Sequence, residues 1–100
     1  IFSKNKTTFC YCVSEYPLLF EKINWKNALQ FDGFSDHTLG VSAPIIYTTL
    51  KKYQKAKNIM IEKHIKLKNS NGPDAPSSID TEEFSKMIKS IRLIENSKLN

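Results

Sequence analysis

No apolar run in this chain approaches the ~20 residues that a membrane-spanning helix requires, and its N-terminus lacks the basic-then-apolar pattern of a secretion signal. A cytoplasmic protein is the expectation. Cysteine is scarce: only Cys10 and Cys12 are present, one residue apart. On a strand, positions i and i+2 share a face but lie too far apart for an ordinary disulfide, and C-x-C is not the C-x-x-C of a redox pair. Two small side chains packed in a strand is the reading the pair favours. RNP-type, helix-turn-helix and zinc-finger spacings are also missing. Without them the formal charge of +5, densest at Lys51, Lys52, Lys55 and Lys57, reads as a solvated helix surface rather than a nucleic-acid groove. Neither a nucleic acid nor a membrane is expected as a partner, although a basic balance could help gather an anionic substrate.

What is present is an ordinary globular balance, 40% hydrophobic and 25% charged. Thr7 to Ser14 (TTFCYCVS) is rich in β-formers and stops at Glu15-Tyr16-Pro17, where Pro17 imposes extended geometry on its predecessor. Phe20 to Leu29 has loosely helical apolar spacing. Phe31 to Phe34 reads as a compact strand in which Gly33 marks a close backbone approach. From Val41 to Gln54, apolar residues at steps of three to four predict an amphipathic helix with its lysines outward. Ala56 to Ile61 is the next strand. Lys66 to Ser78, with Asn71-Gly72-Pro73-Asp74 and Pro76, has the composition of a long loop. Asp80 and Glu83 match a capping box, after which Phe84, Met87, Ile88, Ile91 and Ile94 line one helical face.

The order strand, helix, strand, helix, strand, loop, helix predicts an α/β fold of parallel βα units. Three such units are too few to close an eight-stranded barrel of ~250 residues and leave sheet edges uncovered. A chain of 100 residues that begins at Ile1 is therefore expected to be a fragment.

Histidine is as scarce as cysteine, and both copies fall at equivalent places: His37, in Ser35-Asp36-His37, and His64, in Glu62-Lys63-His64, each close an apolar run. If the two runs are neighbouring parallel strands, their carboxyl ends bring both imidazoles to one rim at about 4.8 Å strand spacing. Glu62 lies one side-chain period before His64, on the same face. Two nitrogens and an oxygen suit Mn, Zn or Fe better than an oxygen-only Mg or Ca cage, and so incomplete a shell leaves positions open for substrate. Asp74 could bring a carboxylate over this site, or Asn71 to Asp74 could be a plain turn. Ser14 and Tyr16, leaving the first strand, could contact a polar ligand or simply cap the loop.

In these words, CVSEYP (Cys12 to Pro17), GFSDHTLG (Gly33 to Gly40), IEKH (Ile61 to His64), NGPD (Asn71 to Asp74) and the tail helix ending IRLIE (Ile91 to Glu95), the sequence resembles the N-acetylneuraminate (sialic acid) synthase family, which includes the legionaminic and pseudaminic acid synthases. The resemblance implies a partial TIM (β/α)8 barrel, about its last three βα units, spanning residues 1–100. It implies a synthase that condenses phosphoenolpyruvate with an N-acetylated amino sugar, N-acetylmannosamine or a relative, and releases phosphate. The metal it implies is Mn2+, with Mg2+ or Co2+ as alternatives, and the full-length parent is expected to be a homodimer. Carried over by motif, His37 and His64 hold the metal and Ser35 contacts phosphoenolpyruvate. Tyr16, Glu62 and Asp74 face the sugar, Glu62 and Asp74 being the catalytic candidates. Ser14 stands where some members have an Asn that helps hold phosphoenolpyruvate.

Two departures are visible. Family members have a compact Ala-Leu-Gly-Ala turn before the EKH strand, where this chain has LKKYQKAKNIM (Leu50 to Met60). The family's substrate-gripping lysines, its water-activating glutamate and its C-terminal antifreeze-like domain have no counterpart in these residues, so the fragment alone is expected to be inactive. The rival readings are a noncatalytic metal-binding module and a small basic interaction domain in which the histidines are incidental.

Overall fold

The computed structural model describes residues 7–68, 72 and 75–99. Strands β1 (Cys10–Cys12), β2 (Gly33–Asp36) and β3 (Met60–Lys63) form one parallel sheet in sequence order. Register pairs Cys12 with Ser35 and Ser35 with Glu62 across it, and Asp36 with Lys63 in its last row. Between the strands lie a 3₁₀ turn (Phe20–Lys22), α1 (Trp25–Ala28) and α2 (Ser42–Tyr53); a second 3₁₀ turn (Ala75–Ser77) and α3 (Thr81–Glu95) follow β3.

Strands β2 and β3 both start later than the sequence pattern predicts, for the same reason. Gln30 and Phe31 donate back to Asn27 and Ala28, prolonging the turn of α1, so extended geometry begins only at Gly33. Likewise Ala56 donates to the Lys51 carbonyl at 3.0 Å and Lys55 adopts φ 63°, closing α2 and postponing β3 to Met60. Each strand therefore runs to the residue before a histidine. β1 is shorter than Thr7 to Ser14: among the described residues it pairs with β2 alone, over Cys10 to Cys12.

The expected helix from Phe20 to Leu29 is broken. Ile23 is extended, and the Asn24 side chain accepts from the Asn27 amide at 3.0 Å, an N-cap that starts α1 afresh. At α3 the capping box is present: Glu83 N–H donates to Asp80 Oδ1 at 2.8 Å, and Asp80 N–H to Glu83 Oε1 at 3.3 Å. Met87 is buried and Ile88, Ile91 and Ile94 are half-buried, whereas Phe84, expected on the same face, is 38% exposed.

Alternation along the strands separates two faces. One carries Tyr11, Phe34 and Ile61 into a core with Leu18, Ile23, Ala28, Ala43 and Tyr47. The Phe34 ring lies 5.0 Å from Tyr47, 5.8 Å from Tyr11 and 6.0 Å from Trp25, centroid to centroid. The Tyr47 hydroxyl donates to the Phe31 carbonyl at 2.6 Å, and its pKa is pushed up to about 12, by burial first and then by Asp32 and Cys10. Lys51, expected on the solvated face of α2, is instead buried: it donates to the Leu29 carbonyl at 3.1 Å and lies 3.6 Å from Asp32. Its stem is long enough to cross from α2 to the carbonyl that α1 leaves without a helical partner.

The other face carries Cys10, Cys12, Gly33, Ser35, Met60 and Glu62. Gly33 is there because of a close approach: a Cβ would lie 2.5 Å from Cys10 Sγ. Both cysteines are free; Cys10 is half-buried, with its thiol pKa raised mainly by burial, while Cys12 is exposed rather than packed. Among the described residues, no helix is long and apolar enough to cross a membrane.

Candidate metal centre

His37 and His64 follow directly on β2 and β3, two residues beyond Ser35 and Glu62, so strand alternation points all four to the face opposite the core. The imidazole centroids are 5.8 Å apart with planes at 84°. One donor atom from each of His37, Glu62 and His64 falls within 4.8 Å of the others. Donors this close need only small side-chain shifts to share a single cation.

The donor set fits a metal on chemical grounds as well. His37 Nδ1 lies 2.6 Å from the Val13 carbonyl oxygen, which can only accept, so Nδ1 must carry the proton. Nε2 is left with its lone pair, the tautomer a ligand needs. A backbone carbonyl thus does what a carboxylate does in many metal sites, and the neighbouring Asp36 does not. Glu62 spreads its two oxygens: Oε1 accepts from the Ser35 hydroxyl, and Oε2 lies 3.5 Å from His64 Nε2. Glu62 and His64 are partly solvent-accessible while His37 is buried, so the group opens on one side.

Tyr16 covers it. Its ring lies 4.1 Å from that of His37 and 6.2 Å from that of His64, centroid to centroid, and stays 48% exposed. The loop that brings it there is tied down by the Leu18 amide, which donates to the His37 carbonyl at 2.8 Å. Ser14, the other candidate on this loop, is exposed and makes no side-chain hydrogen bond with the described residues. Asp74, with Asn71 and Pro73, lies outside the described residues.

Pattern reading overlooked the layer beneath. Asp36 and Lys63 pair across the last row of the sheet at 2.8 Å, both side chains fully buried. Lys63 also donates to the Thr38 carbonyl at 2.5 Å, and Asp36 Oδ1 accepts from Thr38 N–H at 2.9 Å and its hydroxyl at 2.7 Å. A signal did exist: opposite charges stand immediately before the two histidines, at positions that pair if those histidines are neighbours.

Residues 2–99 match the NeuB family. The chain belongs to that family. Among its relatives, an uncharacterised protein of Methanocaldococcus jannaschii is 42% identical over 85% of this chain and 26% of its own length. The N,N'-diacetyllegionaminic acid synthase of Campylobacter jejuni is 32% identical over 92% and 28%. The pseudaminic acid synthase of Helicobacter pylori is 36% identical over 85% and 26%. This NeuB-family chain thus spans about a quarter of the length of its curated relatives.

Proposed function

We propose that residues 1–100 form about the last three βα units of a (β/α)8 barrel in a cytoplasmic, homodimeric nonulosonic acid synthase. The whole protein would join phosphoenolpyruvate to an N-acetylated amino sugar, N-acetylmannosamine or a relative, with release of phosphate. The observation that carries the reading is the convergence of His37, Glu62 and His64 beyond the carboxyl ends of adjacent parallel strands, where βα barrels build their active sites, in a NeuB-family chain.

In this reading His37 and His64 hold a divalent cation, Mn2+ first, which when bound supplies Lewis-acid polarisation of the sugar's aldehyde oxygen. The protein's own groups orient the reactants. The Val13 carbonyl keeps His37 in one tautomer. Glu62 holds the Ser35 hydroxyl, fixing one group for phosphoenolpyruvate and presenting its second oxygen to a sugar hydroxyl. The Tyr16 ring screens His37 from water and offers an apolar wall to the sugar. Ser14 and Asp74 complete the substrate contacts. The enol carbon of phosphoenolpyruvate forms a bond to the aldehyde carbon, water adds at the former enol-ether carbon, and phosphate leaves.

The test is an assay of the full-length protein with phosphoenolpyruvate, N-acetylmannosamine and its diacetylated relatives in Mn2+. Sugar-dependent phosphate release that disappears in His37→Ala supports the reading; Mn2+ binding with no phosphate release from any of them would make the protein a noncatalytic metal binder. The hundred-residue chain alone is expected to be inactive.

A further inference from the structure

On the core face of the sheet, the row Phe34 and Ile61 is apolar, and the next row, Asp36 and Lys63, is an ion pair although it is as deeply buried. Stripping water from two charges is costly, and an apolar pair of similar volume often serves stability as well or better. Stability alone therefore does not account for this pair. An apolar row also cannot enforce register: sliding β3 by two residues along β2 keeps every side chain on its own face, so alternation does not oppose it. The same slide in either direction would part the pair and leave Asp36 buried opposite an apolar side chain, Ile65 or Ile61, which the ion pair opposes.

The pair also brackets one histidine. Lys63 holds Asp36 and the Thr38 carbonyl, while Asp36 holds the Thr38 amide and hydroxyl, so the residues on both sides of His37 are fixed to the strand that ends in His64. We propose that Asp36 and Lys63, with Thr38, are positioning residues that set the distance between the His37 and His64 imidazoles by locking β2 and β3 in register. This rests on the metal reading above.

The experiment titrates the full-length protein with Mn2+, following free ion by electron paramagnetic resonance, beside thermal unfolding of the metal-free form. The doubly apolar variant Asp36→Leu/Lys63→Met leaves the buried Thr38 amide, hydroxyl and carbonyl without these partners, so it is expected to melt earlier than the wild type, and while still folded to bind Mn2+ about 10- to 100-fold more weakly, the order of effect that groups behind the ligands have on metal affinity. Thr38→Val, which removes one hydroxyl and no charge, is expected to weaken binding severalfold and serves if the double variant does not fold. Wild-type Mn2+ affinity in either folded variant overturns the proposal, as does a loss that merely tracks the unfolded fraction. Should the wild type bind Mn2+ no better than His37→Ala, the metal reading fails instead. The nuclear Overhauser contact between the two imidazoles, whose centroids are 5.8 Å apart, then decides on positioning by itself: lost in the variants, the pair sets the spacing; kept, it does not.

Discussion

The two faces of one three-stranded sheet obey different rules. Tyr11, Phe34 and Ile61 face a packed core of helices and aromatic rings, whereas one residue along, Cys12, Ser35 and Glu62 form a row that none of the described helices covers. On the first face identity is dictated by volume; on the second it is dictated by which atoms can donate a lone pair or a proton. Substitutions should therefore split cleanly, moving stability on one side and ligand chemistry on the other.

The largest effect is expected from Phe34→Ala. It removes a buried ring that touches three others and should cost about 3–5 kcal/mol, a large share of a small domain's stability. Denaturant unfolding of the full-length protein reads this, and metal binding should be lost only along with the fold. His64→Ala is the mirror experiment. Mn2+ affinity is expected to fall by more than about 100-fold, some 2.7 kcal/mol, while the metal-free melting temperature barely moves because this side chain is only half-buried. A large drop in both would erase the distinction between the faces.

Gly33→Ala tests where the open face stops being open. Its methyl would meet Cys10 Sγ, so a loss of about 1–3 kcal/mol is expected, partly recovered in Gly33→Ala/Cys10→Ala. The smallest effect belongs to Tyr47→Phe, about 1 kcal/mol for one hydrogen bond at neutral pH. Because the folded state holds the Tyr47 pKa near 12 against about 10 when unfolded, the phenol's contribution is whole below pH about 10 and is lost as pH rises through about 12. The wild type should accordingly lose its advantage over Tyr47→Phe as pH rises above about 10.

Much of this division is legible in the primary sequence. The strand–helix order, the α3 capping box and the equivalence of His37 and His64 follow from periodicity and local chemistry. Strand limits do not, because Phe31 and Ala56 stand a few residues before apolar positions that do enter strands yet spend their own amides finishing the preceding helix. The proton on His37 is set by a carbonyl twenty-four residues away in sequence, on the exit of another strand, which no local pattern encodes. Lys51 and Lys63 look solvated because lysine usually is; only tertiary contact with Leu29, Asp32, Asp36 and Thr38 shows why they are inside.

Electron spin echo spectroscopy of the full-length protein with Mn2+ tests directly whether the two imidazoles share a cation. Modulation from two imidazole nitrogens, falling to one in His64→Ala, is the predicted result. A bound Mn2+ that senses no imidazole nitrogen, or whose spectrum is unchanged by loss of His64, would contradict it.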